Sequence, residues 1–211
     1  MSVIEKGLSE SDFKAFFAVC HQRSYPAKST IIHAGDVGDS LYFIVEGSVT
    51  VYVEDDDGHE IIVSYLNKGE FFGEMGLFEG QDTRSANIRA KTQCKLAEIS
   101  YSRFHQFSVK HPGVLLELCS QLTDRLRRTT QKVSDLAFVD VTGRIASCLL
   151  DLCKQPDAMT HPDGMQIRIT RQEIGRIVGC SREMAGKVLK ALEDQDLISV
   201  SGKTIVVFNT R

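Results

Sequence analysis

Residues 170–190 read TRQEIGRIVGCSREMAGKVLK, and this run decides the fold of the last third of the chain. Thr170 with Glu173 three residues later is a capping box, the reciprocal side-chain-to-backbone pairing that opens a helix. That helix runs to about Val178, and Gly179 makes a turn. Ser181 then caps a second helix carrying Met184, Val188, Leu189 and Leu192 inward. Two short helices joined by a glycine-containing turn form a helix-turn-helix. Arg182 and Glu183 in the first turn of the second helix, and Lys187 one turn later, face outward. Early residues of a recognition helix reach base edges, where arginine forks onto guanine and glutamate accepts from cytosine. A plain helical hairpin with a solvated charged face would carry the same caps. The segments Leu197–Val200 and Thr204–Phe208, joined by Ser201-Gly202-Lys203, add a hairpin wing and turn the reading to DNA.

Upstream lies a longer helical pattern. Leu115, Cys119, Leu122, Leu126, Thr129, Val133 and Leu136 are spaced 4, 3, 4, 3, 4, 3, a heptad seam. The seam is narrow and flanked by Arg125, Arg127, Arg128, Gln131 and Lys132, which suits a helix pairing with its own copy. A dimerisation helix is therefore expected over about 112–137, in a homodimer. Thr129 is polar where the seam asks for an apolar residue, and Thr130 follows it. Such a break either sets register or touches a ligand that the dimer completes. The pattern fades at 138–140, read as a hinge, and Asp140 caps a helix through Val141, Ile145, Leu149 and Leu152. The division expected is 1–137, the hinge, and a DNA-binding domain at 141–211.

From about Ser29 to Ser100 the period shortens to two. Leu41, Phe43 and Val45 alternate with Tyr42 and Ile44, and Val49, Val51 and Val53 alternate after Gly47. Asp55-Asp56-Asp57-Gly58 turns the chain into a second apolar run, Ile61–Leu66. Many short strands suggest a sandwich or jelly-roll barrel, preceded by an amphipathic helix over residues 10–20. Inside this region stand Gly73-Glu74-Met75-Gly76-Leu77-Phe78 and then Arg84-Ser85-Ala86. Gly73 opens a short helical turn whose free N–H groups can face a phosphate. Arg84 can neutralise and fork onto that phosphate, with Ser85 as a further donor. Glu74 only accepts hydrogen bonds and suits a sugar hydroxyl. Together they describe a pocket for a ribose joined to a phosphate.

Composition mainly excludes. The 211 residues suffice for one large domain or two small ones. The net charge of −3 divides into −5 over residues 1–140 and +2 over 141–211, so only the last third suits nucleic acid. Six cysteines show no CxxC pair and read as buried thiols in a reducing cytoplasm. Met1–Phe17 has no leader-like apolar run and no stretch could cross a bilayer, so a cytoplasmic location without a membrane partner is expected. Six histidines without an HxH pair argue against a cupin-type metalloenzyme. No nucleophile, base and orienter stand in recognisable order, so neither a metal nor an enzymatic activity is expected.

The stretches GEMGLFEGQDTRSA, LAFVDVTGRIA, KQPDAMTHPDGMQIRITRQEIGRIVGCSREMAGKVLK and GKTIVVFNTR resemble the cyclic-AMP receptor proteins of bacteria, also called catabolite activators. The resemblance covers essentially the whole chain after about Cys20. It implies an α+β protein: an N-terminal β-roll (jelly-roll) cyclic-nucleotide-binding domain, a long dimerisation helix and a C-terminal winged helix-turn-helix. It also implies a transcription regulator that binds palindromic double-stranded DNA in response to cyclic AMP. Carried over by residue, Gly73 and Glu74 would hold the ribose hydroxyl, Arg84 and Ser85 the cyclic phosphate, and Arg125 would brace Glu74. Thr129 would read the adenine amino group, joined by Thr130 of the other subunit, where the family usually has serine. Arg182, Glu183 and Lys187 would contact bases, with lysine standing where arginine is usual; Thr170, Arg171 and Ser181 would contact phosphates, with Gln172 beside them. Ala158–Gln166, with Thr160 and His161, matches a loop that touches RNA polymerase, and His21, Arg23 and Arg103 match a second activating surface. A second nucleotide site is implied near Gly58, His59, Glu60, Ala137, Gln172 and Arg182. Some relatives sense cyclic di-GMP instead; they place an acidic residue where Ser85 stands, and Ser85 favours cyclic AMP.

Overall fold

The computed structural model describes residues 10–78 and 83–210; Glu79–Asp82, inside the GEMGLFEGQDTRSA stretch, lie outside the described residues. The chain divides into two units, Met1–His59 with Val63–Thr129, and Glu60–Ile62 with Thr130–Arg211. This division falls within a long helix, whereas the backbone leaves the helix near Val139 and Asp140.

The first unit opens with α1 (Glu10–Val19) and is built on strands β1 (His21–Tyr25), β2 (Thr30–Ile32), β3 (Ser40–Glu46), β4 (Ser48–Glu54), β5 (Glu60–Asn67), β6 (Phe71–Phe72), β7 (Asn87–Ala90) and β8 (Cys94–Ser100). The one-turn α2 (Met75–Phe78) follows β6, and α3 (Tyr101–Lys110) and α4 (Gly113–Phe138) follow β8. Two four-stranded sheets form, ordered β1-β8-β3-β6 and β2-β7-β4-β5. The alternation in β3 separates two cores rather than core from solvent. Leu41 and Phe43 join Phe71, Ala97 and Ile99 against helical residues Phe16, Phe104, Phe107, Val114 and Leu118. Tyr42 and Ile44 face the other way, with Phe72 and Leu96 of their own sheet and Ile32, Val49, Leu66 and Ile88 of the other. Phe16 is fully buried, with its ring edge-on to Phe71 and Phe107 at 5.7 and 5.5 Å. Truncating such a residue to alanine costs about 3–5 kcal/mol.

The second unit contains α5 (Val141–Cys153), β9 (Met159–His161), β10 (Gly164–Arg168), α6 (Arg171–Val178), α7 (Arg182–Asp194), β11 (Ile198–Ser201) and β12 (Thr204–Phe208). Asp140 caps α5, its carboxylate accepting from the Gly143 N–H at 2.8 Å. The wing is a four-stranded sheet, β11-β12-β10-β9. Ile145, Leu149, Ile174, Ala185, Leu189 and Ile205 are buried in this unit.

Several expectations need correction. Strands begin with β1, before Ser29: His21–Tyr25 has no apolar alternation because it is an edge strand with four of five residues exposed. Ala158–Gln166, expected as a loop, forms most of the β9–β10 hairpin, and α3 has no counterpart in the sequence reading. Met184 is 42% exposed, because Ala185, Val188, Leu189 and Leu192 supply the i, i+3, i+4, i+7 stripe that faces the core. Only Cys94, Cys148 and Cys153 are buried, and Cys119 is exposed. On α4, Leu115 and Leu122 pack against the chain's own core and are not free for a partner. The exposed stripe is instead Leu116, Cys119, Thr123, Leu126, Thr130, Val133 and Ala137, again at heptad spacing.

Candidate functional site

Three residues nominated from the sequence converge around the turn after β6. Gly73 takes φ +79°, a left-handed conformation that glycine adopts without strain, and it turns the chain out of the sheet into α2. Its carbonyl accepts from Arg84 Nη1 at 2.9 Å and from the Tyr101 hydroxyl at 2.5 Å. Arg84 also donates to the Tyr101 oxygen at 3.0 Å and to the Ser40 carbonyl at 2.8 Å. Its guanidinium carbon lies 5.9 Å from the ring centres of Tyr42 and Tyr101. Burial pushes the Tyr101 phenol up, against the opposing pull of Arg84, so it stays a hydrogen-bond donor at neutral pH. Arg84 is thus a partly buried cation held by neutral oxygens, with no carboxylate ion-paired to it among the described residues. A desolvated cation held this way favours an incoming anion.

Glu74 is 8% exposed and pairs with Arg125 of α4 at 3.3 Å. Arg125 also donates to the Phe71 carbonyl, fixing its fork between the strand and the carboxylate. Glu74 is therefore oriented and opposite in charge to Arg84, as a hydroxyl acceptor beside an anion cradle would be. Ser85 is exposed after Arg84. Thr129 and Thr130 are both exposed on α4. At i+4 from Arg125, Thr129 shares that residue's face, while Thr130 turns about 100° further onto the heptad stripe.

In the second unit the helix-turn-helix closes as its sequence dictates. Thr170 Oγ1 accepts from the Glu173 N–H at 3.1 Å, and Ser181 Oγ from the Met184 N–H at 3.1 Å. Gly179 ends α6 at φ +73°, and the Gly175 carbonyl accepts from both the Gly179 and Cys180 N–H groups. A Cβ on Gly175 would lie 2.5 Å from the Cys180 carbonyl oxygen, so the turn requires glycine there. Arg171, Gln172, Ser181, Arg182, Glu183 and Lys187 are all exposed, and Thr170 is half-buried. The Arg171 side chain passes over Gly186 on α7.

Residues 22–111 match the cyclic nucleotide-binding domain, and residues 143–211 match the Crp-like helix-turn-helix domain. The chain is 64% identical over 197 residues to the cAMP-activated global transcriptional regulator Vfr of Pseudomonas aeruginosa, covering 92% of each. It is 58% identical over 209 residues to the cAMP-activated global transcriptional regulator CRP of Salmonella typhimurium, covering 99% of this chain and 100% of that one. Among solved structures, the c-di-GMP-responsive global regulator CLP of Xanthomonas campestris matches with a TM-score of 0.89 and 47% identity, over 95% of this chain and 99% of that one. The chain belongs to the CRP family of bacterial transcription regulators.

Other residues that the family resemblance nominates lie on several elements. Thr160 and His161 lie on the edge strand β9, where His161 Nδ1 accepts from the Asp163 N–H at 3.3 Å. His21 and Arg23 lie on β1 and Arg103 on α3; Arg23 is ion-paired to Glu98 at 3.0 Å, which offsets its charge. Gly58 and His59 belong to the first unit, and Glu60, Ala137, Gln172 and Arg182 to the second. His59 turns its contacts into the hairpin: Asp55 accepts from the Asp57 and His59 N–H groups and from the His59 ring. Those backbone bonds hold the Asp55 carboxyl below its usual range. Asp55, Asp57 and His59 gather within 4.8 Å of one another, an arrangement the turn's own hydrogen bonds explain. Tyr101, Ser40 and Gln121 are site neighbours that the sequence did not reveal. Ser40 acts through its carbonyl, which leaves no signature in residue type, while Tyr101 and Gln121 act through side chains whose backbone targets only the fold brings near. Among the described residues no helix is long and apolar enough to cross a membrane.

Proposed function

We propose that the chain is a cyclic-AMP-dependent, sequence-specific DNA-binding transcription regulator that acts as a homodimer. One observation carries the reading: an arginine cation held by neutral oxygens, with no carboxylate paired to it among the described residues, and a buried, braced glutamate flank the same glycine turn. A cyclic nucleotide offers both counterparts, a phosphate for Arg84 and Ser85 and a ribose hydroxyl for Glu74. Thr129, on the Arg125 face, would meet the base from within the chain. Thr130, on the outward stripe, would reach the partner's ligand. Binding would then join the two copies of α4 and bias the segment 138–140, favouring one arrangement of the reading helices. To turn a 1:99 population into 99:1 the ligand must bind the active state about 10⁴-fold better.

In this reading Arg182, Glu183 and Lys187 meet bases, and Thr170, Arg171, Gln172 and Ser181 position the helix on phosphates. The two copies would enter major grooves about 34 Å apart on a palindrome, a geometry for which this family is itself a type example. RNA polymerase contacts at Thr160 and His161, and at His21, Arg23 and Arg103, belong to the same proposal. So does a second nucleotide site involving Gly58, His59, Glu60, Ala137, Gln172 and Arg182, and a cytoplasmic location. Cyclic di-GMP is the weaker alternative, since Ser85 is uncharged and curated relatives at 64% and 58% identity are named as cAMP-activated. Calorimetry tests the site: Arg84→Leu should abolish cyclic AMP binding while leaving a folded dimer. Unchanged affinity in that variant would refute the assignment, and parallel titration with cyclic di-GMP separates the two ligands.

A further inference from the structure

The face of α4 that meets the roll contains an unusual polar ladder. Glu117, Gln121 and Arg125 stand at i, i+4 and i+8, one above another on the helix. Gln121 Oε1 accepts from the Phe71 N–H at 2.9 Å, and its Nε2 donates to the Gly69 carbonyl at 3.0 Å and to Glu117 Oε1 at 2.8 Å. Arg125 takes the carbonyl of the same Phe71 and pairs with Glu74. The amide orientation is forced, because a backbone N–H can only donate and a backbone carbonyl can only accept.

Two features separate this ladder from ordinary packing. β6 is only Phe71 and Phe72, paired to β3 through two residue pairs, and it leads directly into Gly73 and Glu74. β6 is the edge strand of its sheet, and on its outer side the side chains of α4 hold both the N–H and the carbonyl of Phe71. Glu117 is 7% exposed and its Oε2 is buried with no hydrogen-bond partner. Burying a half-satisfied carboxylate costs stability, so a helix packed here for stability alone would do better with an apolar residue.

We infer that Gln121, fixed by Glu117, is a positioning residue for the nucleotide site: it clamps the Phe71 peptide and so sets where Glu74 and Arg125 meet the ligand. The inference rests on the reading of this site as a cyclic AMP pocket. It also makes α4 a direct determinant of pocket geometry through hydrogen bonds. Gln121→Glu removes the two donors and places a carboxylate against Glu117. Adding Glu117→Gln restores the bond between the two rungs with its direction reversed, because the amide introduced at position 117 can donate to the carboxylate introduced at position 121.

The test compares cyclic AMP affinity, by calorimetry, and melting temperature for the unmodified protein, Q121E, and E117Q/Q121E. Expected is binding by the unmodified protein, about tenfold weaker binding in Q121E, and recovery to within about threefold in the double variant, beyond any difference in melting temperature. If Q121E fails to fold, Q121M removes the hydrogen bonds without adding charge and should likewise bind about tenfold more weakly. Unchanged affinity in Q121E or Q121M, or a double variant as weak as Q121E, would overturn the positioning role while leaving the pocket assignment intact. No cyclic AMP binding by the unmodified protein would overturn the pocket assignment and this inference with it.

Discussion

At the residue scale, the site depends on one backbone conformation. Gly73 is left-handed, and a Cβ there would stand 2.8 Å from Arg84 Nη1 and 3.1 Å from the Ser40 carbonyl. Gly73→Ala should therefore cost about 1–3 kcal/mol through backbone strain, and it should also push Arg84 out of its cradle. Paired melts and calorimetry check this: a stability loss with full cyclic AMP affinity would mean that the glycine serves only the fold. The charged members of the site were legible because charge is visible in a residue's name. Glu74 and Arg84, read from their residue types, and Arg125, implied by the family resemblance, lie around the same Gly73 turn. The acceptors that aim them were not legible, since three are carbonyls of Ser40, Phe71 and Gly73, and any residue type supplies a carbonyl. Tyr101 was missed for a related reason. Its hydroxyl is useful only because Ser100 caps α3 and delivers the ring to Gly73, a tertiary fact.

At the element scale, periodicity identified helices and inner strands but not how many faces each would bury. The heptad spacing of α4 is present, yet two of its leucines turn to the roll and Leu116, Leu126 and Val133 are left exposed at 71, 68 and 62%. Three exposed aliphatic residues at heptad spacing call for a second helix. Cys119 sits on that stripe, and its labelling reports the pairing. In dilute protein Cys119 should react readily with a thiol reagent, and the rate should fall as concentration drives dimerisation. Leu126→Lys should keep the rate high at every concentration, and a rate independent of concentration in both proteins would argue against the stripe as the dimer seam. Cys148 gives an internal control, because burial pushes its thiol up to about 12 and leaves almost no thiolate at pH values near neutrality. Within the helix-turn-helix, Ser181→Ala should remove about 1 kcal/mol through the lost cap. Gly175→Ala should cost more, about 1–3 kcal/mol, because the new Cβ meets backbone that cannot rotate away. Differential scanning of the two variants distinguishes these costs.

For the whole molecule, ligand occupancy and DNA affinity have separate physical signatures. A ligand that binds only the folded state at about a hundred times its Kd adds about 2.7 kcal/mol, so cyclic AMP should raise the melting temperature by roughly 5–10 °C. That shift should vanish in Arg84→Leu. DNA binding is dominated by counterion release, and it scales with the number of phosphates that cations neutralise. Each chain exposes Arg171, Arg182 and Lys187 around the reading helix, so a dimer brings six such cations to DNA. If all six meet phosphates, the log of affinity for a palindromic site should fall against log salt with a slope of about −5; if only the two copies of Arg171 do, with Arg182 and Lys187 on bases, the slope should be about −2. Lys187→Ala removes one cation from each subunit and should flatten the slope by about 2 if both meet phosphates. If Lys187 instead reads a base, the slope should change little and discrimination at one symmetric position should relax. The same titration without cyclic AMP addresses the switch itself: affinity should drop at every salt concentration. A ligand-independent curve would show that the reading helices are already placed and that the pocket does not govern them.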